Sequence, residues 1–319
     1  MVLKDLISIR RNPVPTGARA GTFSGFDGIE LRYAVWRPTA GKVSGSVCVF
    51  GGRGEFIEKY FETIGDLRRR GFHVAAMDWR GQGGSGRLLK SPRKGHVEDF
   101  GDFDRDVATF MKEIVLPDCP PPYFALAHSM GGNILLRAAR QPDCWFERIV
   151  TVAPMIGLCD LPFAPATSLR IAEAAMYFGL GDAYIPGGSD RSWESEPFEG
   201  NVLTASESRF TRNKSVLEAA PQLGIGSPTI GWLHAALESM ALVNDVDFPA
   251  SVRVPTLMFA AANDKVVDDR AIEELAAQLK AGSQIVIEGA RHEILQERDE
   301  PREQFWAGFD AFVPGSTVG

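Results

Sequence analysis

The chain consists of short apolar segments that alternate with amphipathic ones. Continuous apolar segments of strand length, which are typical of strands buried on both faces of a sheet, cover residues 46–50, 73–77, 123–127, 148–152, 256–261 and 284–287. Residues 29–37 alternate apolar and polar side chains, which predicts a half-exposed antiparallel strand. Helical spacing occurs between these segments, at residues 56–70, 102–115, 133–140, 269–280 and 302–312. This order predicts an α/β fold, with a mostly parallel sheet flanked by helices on both faces.

One long region interrupts this alternation. Residues 155–248 contain no strand pattern, but helical patterns at 166–178, 206–220 and 232–243 and a loop at 181–200 rich in glycine, serine, aspartate and proline. Such a length exceeds that of an ordinary crossover between two strands. We therefore predict a helical cap inserted into a core, although crossover helices remain the alternative. The predicted core covers 25–154 and 249–313, and the terminal extensions cover 1–24 and 314–319.

Composition excludes several classes of function. The 319 residues are 45% hydrophobic and 24% charged, as in globular proteins. The net charge of −7 argues against nucleic-acid binding, which needs a basic surface. The four cysteines have no metal-binding or disulfide-framework spacing, so no metal is expected. Without a signal-peptide pattern or a membrane-spanning apolar segment, we expect a cytoplasmic protein, with peripheral membrane contact and oligomeric state left open.

The segment Ala127-His128-Ser129-Met130-Gly131 joins an apolar strand to a helical pattern. Small residues stand two positions before and two after the serine, as a nucleophile elbow requires, because the sharp turn leaves no room for bulk there. Alanine replaces the more usual glycine at position 127. The alternative is a serine that merely caps a helix. Other residues must therefore decide between the two interpretations.

A nucleophilic serine needs a base and an acid that orients the base. Among the five histidines, we favour His292 as the base because it follows the last predicted strand. Functional groups gather at the carboxyl ends of parallel strands. The other candidates are His73 at a strand start, His96 in a loop, His128 beside the serine and His234 in the cap.

The orienting acid should also follow a strand of the core. Asp264 lies in the loop after residues 256–261, whereas Asp268 and Asp269 have the position of acids at a helix N-terminus. Ser129, Asp264 and His292 then follow one another along the chain. Each of the three lies at the end of a predicted strand.

Acyl transfer further needs N–H donors for the oxyanion. We expect one donor to be the backbone N–H of Met130 and the other that of Arg53, in a glycine-rich loop after residues 46–50. The alternative is a plain strand-to-helix turn. Gly52, Glu55, His128 and Trp232 are expected to line the substrate.

A second glycine-rich segment matches the Gly-x-Gly-x-x-Gly pattern at residues 81–86. A dinucleotide site would require an apolar helix immediately after it. Residues 87–92 are instead polar and end in proline. We therefore interpret the segment as a structural loop, and no cofactor is expected.

Together these motifs resemble the α/β-hydrolase superfamily, in its branch of monoacylglycerol lipases and bacterial lysophospholipases, over roughly residues 25–313. The motifs that carry the resemblance are residues 52–60, the Asp-x-Arg-Gly-x-Gly segment 78–83, the His-Ser-Met-Gly-Gly segment 128–132 and residues 228–232 in the cap. The chain departs from the pattern at Gly51, where the family often has a histidine that helps to hold the oxyanion loop. Ala127 is the second departure.

The resemblance implies a serine carboxylic-ester hydrolase with an α/β-hydrolase fold and a helical cap. It implies lysophospholipids or monoacylglycerols as substrates, hydrolysed through an acyl-enzyme without a cofactor. The apolar cap either forms an acyl-chain tunnel or packs on the core. A thioesterase or a chain-end peptidase is an alternative, for which Glu194, Glu196 and Glu199 could bind a free amine. A non-catalytic binding protein on the same fold is another.

Overall fold

The structure, a computed structural model, describes residues 2–193 and 196–316. Its centre is an eight-stranded sheet in the order β1-β2-β4-β3-β5-β6-β7-β8. The strands are β1 (Arg19–Ser24), β2 (Glu30–Trp36), β3 (Ser46–Phe50), β4 (His73–Met77), β5 (Tyr123–His128), β6 (Arg148–Val152), β7 (Thr256–Ala261) and β8 (Gly282–Ile287). Strands β1 and β2 are antiparallel to their neighbours, and the others are parallel. The predicted α/β fold is confirmed.

Helices connect the parallel strands. They are α1 (Phe61–Arg69), α2 (Gly101–Phe110), α3 (Leu116–Asp118), α4 (Met130–Ala138), α5 (Pro165–Tyr177), α6 (Glu207–Ala219), α7 (Ile230–Val243), α8 (Phe248–Ser251), α9 (Asp269–Gln278) and α10 (Asp299–Phe312). A 3₁₀ turn, Ile57–Tyr60, precedes α1, and a π-helical turn, Met111–Val115, continues α2. The predicted helix at 102–115 therefore changes its winding before it ends.

The central strands are apolar throughout because both faces of the sheet are buried. In β3, Val47 and Val49 join the core cluster that α1 and α10 cover. Cys48 and Phe50 join the cluster on the opposite face, which α2, α4 and α9 cover. This alternation follows from the two-residue period of a strand.

Two boundaries differ from the sequence-based expectation. Strand β1 was not predicted, so the sheet begins at Arg19, before the expected start of the core at residue 25. Its pattern is interrupted by Gly21, where a Cβ would lie 3.3 Å from the ring of Tyr33 on β2. Helix α4 begins at Met130 and not at residue 133, although glycines at 131 and 132 weaken helical propensity.

Helices α5–α7 lie in the region predicted to form the cap, and α8 begins at its last residue. The described residues between β6 and β7 include no strand of the sheet. Helix α7 contacts α4 and α5, and its Leu237 and Met240 are buried in the main core cluster. This apolar face packs on the core. The division into a core and a separate cap remains a proposal.

None of the helices described has both the length and the apolar character that crossing a membrane requires.

A buried ionic cluster joins the antiparallel edge of the sheet to the turn before α1. The Arg32 guanidinium donates two hydrogen bonds to Glu58, of 2.8 and 2.7 Å, and one of 2.7 Å to Asp78. All three side chains are almost completely buried. Asp78 also accepts N–H hydrogen bonds from Ile57 and Gly84. The ionic cluster therefore holds β2, the turn before α1 and the segment after β4 together.

We expect Arg32→Met to lower the free energy of unfolding by about 3–5 kcal/mol, because two buried carboxylates would lose their cation. Urea denaturation followed by circular dichroism measures the change. Arg170→Met, at an exposed position on α5, is the matched control. A loss below about 1 kcal/mol would contradict the expectation, since that is the range of exposed ion pairs.

Candidate active site

Ser129 occupies a strained turn between β5 and α4. Its φ of 50° and ψ of −115° are rare for a residue with a side chain. Backbone hydrogen bonds hold this conformation. The Ser129 N–H donates to the Val152 carbonyl at 2.9 Å, and the Met155 N–H donates to the Ser129 carbonyl at 3.0 Å. The turn directs the hydroxyl away from the sheet at the carboxyl end of β5.

The glycines after Ser129 are required by close backbone contacts. A Cβ on Gly131 would lie 2.6 Å from the carbonyl oxygen of Gly51, and one on Gly132 would lie 2.8 Å from the Cβ of Pro154. Ala127 is completely buried. Its methyl group is therefore accommodated at the position where glycine was expected.

The three residues predicted as nucleophile, acid and base lie together. His292, in the loop after β8, has its Nε2 3.0 Å from the Ser129 Oγ. Its Nδ1 lies 2.8 Å from the Oδ2 of Asp264, in the loop after β7. Ser129 is 8% exposed and His292 is 4% exposed. Charges that interact in such a shielded site do so more strongly than in water.

Asp264 is held in its ionised form. Burial opposes ionisation, but the hydrogen bond and charge of His292 outweigh it, and the pKa of Asp264 lies below its ordinary value. The other oxygen, Oδ1, accepts N–H hydrogen bonds from Val266 at 2.8 Å and Val267 at 3.1 Å. One carboxylate oxygen is thus fixed by the backbone and the other faces His292. Asp268, by contrast, caps α9.

The remaining histidines lie in other environments. His96 is buried, with its Nδ1 2.8 Å from the Thr229 Oγ1. His73 begins β4, and His234 on α7 lies 3.5 Å from Glu238. Among all five histidines, each of which is described, His292 has the ring nitrogen that contacts Ser129 Oγ.

The loop after β3 lies against the serine. A Cβ on Gly52 would lie 3.1 Å from the Ser129 Cβ and 3.0 Å from the His128 Nδ1. Arg53, one residue further, therefore has its backbone beside the same turn. The Met130 N–H belongs to the first turn of α4, where N–H groups have no intrahelical partner. The expected oxyanion donors thus belong to the two segments that flank Ser129, and their role remains a prediction.

This loop is fixed without the histidine that the family often has at position 51. The Gln82 side-chain amide donates a hydrogen bond of 2.7 Å to the Gly52 carbonyl and accepts one of 3.1 Å from the Gly54 N–H. The Trp79 indole donates 2.7 Å to the Gly51 carbonyl. The glycine-rich segment 81–86 is therefore a structural support for the loop.

A buried polar network lies beneath the loop. Lys59 Nζ is 3.0 Å from Glu55 Oε1 and 2.6 Å from Glu293 Oε1. Glu55 also accepts hydrogen bonds from the Gly52 N–H and the Tyr60 hydroxyl. The network thereby connects the loop after β3 with the residue that follows His292.

His128 extends this network. Its Nδ1 is 3.1 Å from Glu55 Oε2, and its Nε2 is 3.2 Å from the His292 carbonyl oxygen. The Glu55 carboxylate and the His292 carbonyl both accept hydrogen bonds, and this geometry favours the protonated form of the ring. Burial lowers the pKa of His128, but the Glu55 carboxylate raises it by more, so the pKa lies above its ordinary value. The pKa of Glu55 is correspondingly held well below its usual range, because Lys59 and His128 outweigh the effect of burial.

The expected substrate-lining residues have mixed positions. The Glu55 and His128 side chains belong to the buried network, and Gly52 lies beside Ser129. Trp232, 6% exposed at the start of α7, lies 4.9 Å beneath the Arg53 guanidinium.

Sequence reasoning missed Gln82, Lys59 and Glu293. The sequence does contain a signal for Gln82, because this residue lies inside the Asp-x-Arg-Gly-x-Gly segment, which we interpret as a structural loop. Lys59 and Glu293 are 234 positions apart, so no local sequence pattern predicts their contact. In the described residues no group of histidine, cysteine, aspartate and glutamate side chains could hold a metal ion.

Comparisons with known proteins agree with this geometry. The Hydrolase_4 family, described as "Serine aminopeptidase, S33", matches residues 41–299. Lysophospholipase L2 of Escherichia coli strain K12 is 35% identical over 88% of this chain and 83% of its own length. A probable lysophospholipase L2 of Haemophilus influenzae is 27% identical over 91% and 90%.

A solved structure shares the fold. A soluble variant of monoglyceride lipase from Saccharomyces cerevisiae, crystallised with a substrate analog, superposes with a TM-score of 0.72. The match covers 95% of this chain and 97% of that chain at 19% identity. The order of strands, the strained serine turn and the family match lead to one conclusion. The chain belongs to the Hydrolase_4 family of α/β-hydrolases.

Proposed function

We propose that this protein is a serine hydrolase of carboxylic esters, with lysophospholipids or monoacylglycerols as substrates. The observation that carries the proposal is the continuous chain of contacts from Ser129 Oγ through His292 to Asp264, at 3.0 and 2.8 Å. This arrangement allows one proton to leave the hydroxyl as it attacks a carbonyl group.

In the proposed acylation step, His292 Nε2 takes the proton from Ser129 as Oγ bonds to the ester carbonyl carbon. The N–H groups of Met130 and Arg53 stabilise the oxyanion that forms. As the tetrahedral intermediate collapses, the C–O bond to the alcohol breaks and His292 returns the proton to that alcohol. Asp264 accepts from His292 Nδ1 and stabilises the imidazolium. Water, deprotonated by His292, then hydrolyses the acyl-enzyme.

The substrate class rests on the relatives. Two of them are named lysophospholipase L2, and one is 35% identical over most of both chains. An enzyme of this kind cleaves the single acyl ester of its lipid, which fits a serine nucleophile that needs no metal. The complete set of contacts at Ser129 also speaks against a non-catalytic binding protein.

The peptidase alternative receives little support from the expected amine-binding carboxylates. Glu196 has a side chain that is 51% exposed and lies 3.9 Å from Arg191. Glu199 is also exposed, and Glu194 lies outside the described residues. A free amine would gain little from such solvated groups. The thioesterase alternative shares the mechanism and differs only in the leaving group.

The proposed function is tested with a substrate panel at equal acyl-chain length. We expect hydrolysis of a lysophospholipid or a monoacylglycerol, and of short p-nitrophenyl esters, with kcat/KM at least about 100-fold above that for an aminoacyl-p-nitroanilide. A fluorophosphonate probe should label Ser129, as mass spectrometry of the labelled peptide would show. A protein that hydrolyses the anilide best, or one that the probe does not label, would contradict the proposal.

The support of the oxyanion loop gives a further prediction. We expect Gln82→Met to lower kcat on p-nitrophenyl butyrate by about 10- to 100-fold, because the loop would lose three hydrogen bonds that hold the backbone around Arg53. KM should change less than kcat, since the oxyanion forms in the transition state. Gln278→Met, exposed on α9, is the matched control. An unchanged kcat would show that the loop is positioned without Gln82.

A further inference from the structure

Four basic side chains beside the oxyanion loop have no carboxylate partner among the described residues. Here they are called the cationic cluster, and they are Arg53, Arg87, Arg93 and Lys94. Their hydrogen bonds all go to backbone carbonyl oxygens. Most buried arginines in this protein are instead paired, as Arg32 is with Glu58 and Asp78. Hydrogen bonds to carbonyls satisfy the donors, but they do not neutralise the charge.

The cationic cluster converges on one loop of the cap region. The Arg53 guanidinium donates a hydrogen bond of 2.9 Å to the Gly226 carbonyl, and the Arg93 guanidinium donates one of 3.0 Å to the Gly224 carbonyl. Arg87 donates 2.7 Å to the Gln222 carbonyl. The same loop therefore brings three positive charges together at the edge of the candidate active site.

Arg53 is the member closest to the reacting groups. Its backbone follows Gly52, which lies against Ser129, and its guanidinium lies over the Trp232 ring. The Arg53 Nε is buried and has no hydrogen-bond partner. Burial lowers the pKa of Arg53 to about 10, so the group stays charged at neutral pH. A shielded charge without a counterion is costly to the folded protein, and an anionic ligand would remove that cost.

The nearest carboxylates are engaged elsewhere. Asp190 accepts a hydrogen bond from the Tyr184 hydroxyl. Asp182 contributes its backbone carbonyl to Lys94, while its carboxylate is 70% exposed and 3.9 Å from His96. Neither forms an ion pair with the cationic cluster. Among the described residues, the cationic cluster thus has no ion-pair partner, in a protein whose net charge is −7.

We propose that Arg53, supported by the rest of the cationic cluster, binds the phosphate group of the substrate and makes the enzyme prefer lysophospholipids to monoacylglycerols. This inference rests on the proposed function. In a 1-acyl lysophospholipid, the number of bonds from the ester carbonyl carbon to phosphorus equals that from the Arg53 backbone nitrogen to its guanidinium carbon. An ester whose oxyanion binds the Arg53 N–H, and whose glycerol backbone extends along the Arg53 side chain, therefore brings its phosphate to the guanidinium. Planar guanidinium groups bind phosphate oxygens in pairs.

The test compares kcat/KM for a lysophosphatidylcholine and a monoacylglycerol with the same acyl chain, below their aggregation concentrations. We expect the wild-type enzyme to favour the phosphate-bearing lipid. Arg53→Met keeps the backbone N–H but should reduce the ratio of the two kcat/KM values by about 10- to 100-fold. Arg53→Lys should reduce it less, because it keeps the charge and loses the planar donors. Arg191→Met, exposed in the cap region, should leave the ratio unchanged.

A second measurement does not depend on lipid turnover. Glycerophosphocholine should competitively inhibit p-nitrophenyl butyrate hydrolysis by the wild type, and more weakly inhibit Arg53→Lys. Failure of glycerophosphocholine to inhibit the wild type, or equal inhibition of the wild type and Arg53→Lys, would contradict the inference. An equal ratio in wild type and both Arg53 variants would also overturn the inference while leaving the proposed function intact. A wild type that cleaves p-nitrophenyl esters but neither lipid would instead refute the proposed substrate class.

Discussion

Replacing Ser129 with alanine is expected to lower kcat for ester hydrolysis by about a millionfold, the size of effect seen when a serine nucleophile is removed. The hydroxyl is the group that bonds to the substrate, and His292 has no other nucleophile within hydrogen-bond distance in the described structure. The variant should fold normally, because alanine keeps the Cβ and the positive φ of this turn is held by backbone hydrogen bonds. Stopped assays with p-nitrophenyl butyrate, together with thermal melting, measure both quantities.

Ser283→Ala is the matched control for this prediction. It also removes a serine hydroxyl, but from an exposed position near the amino-terminal end of β8, at the opposite edge of the sheet from the candidate active site. Its activity should equal that of the wild type. A Ser129→Ala protein that still cleaved p-nitrophenyl esters at a measurable fraction of the wild-type rate, in a preparation free of other esterases, would refute the proposed mechanism.

The central strands and the proximity of the three proposed catalytic residues could be predicted because their signals are local. Strands buried on both faces must be apolar at every position, so residues 46–50, 73–77, 148–152 and 256–261 coincide with the observed strands. In a parallel sheet, the loops after such strands meet at one edge. Asp264 and His292 could therefore be selected by their position after β7 and β8, without knowledge of their contacts.

Other features could not be predicted because they depend on distant parts of the chain. Strand β1 has a weak pattern of its own and is formed by pairing with β2. The support of the oxyanion loop by Gln82 and Trp79 requires that β3 and β4 be neighbours, which the sequence alone does not specify. The raised pKa of His128 depends on its contact with Glu55, 73 positions away.

The absence of a histidine at position 51 shows how the site compensates for a departure from the family pattern. A side chain there could hold the loop directly, but Gly51 has none to offer. In this chain the same loop is held from three sides, by Trp79, by Gln82 and by the Glu55 carboxylate. Preorganised donors are effective because they need no rearrangement during the reaction. The buried network under the loop thus supports the segment that carries the proposed oxyanion donor Arg53.

Asp264→Asn is expected to lower kcat by about 10⁴-fold through the tautomer of His292. The Val266 and Val267 N–H groups both point at Oδ1, so the amide oxygen of an asparagine would occupy that position. Its NH₂ group would then face His292 Nδ1 and donate to it. The proton of the neutral imidazole would be forced onto Nε2, which could no longer accept the proton of Ser129.

Comparison with Asp264→Ala separates this effect from the loss of charge. Alanine removes the acceptor but places no donor against Nδ1, so Asp264→Ala should be at least as active as Asp264→Asn. Nitrogen-15 NMR of the His292 ring should show the Nε2–H tautomer in the asparagine variant. Asp143→Asn, on an exposed loop, controls for the change of charge. Because the pKa of Asp264 lies below its ordinary value, an acid limb of kcat/KM above about pH 5 belongs to another group. An asparagine variant within tenfold of the wild type would mean that His292 keeps its productive tautomer without the carboxylate, and that Asp264 serves only to shape its loop.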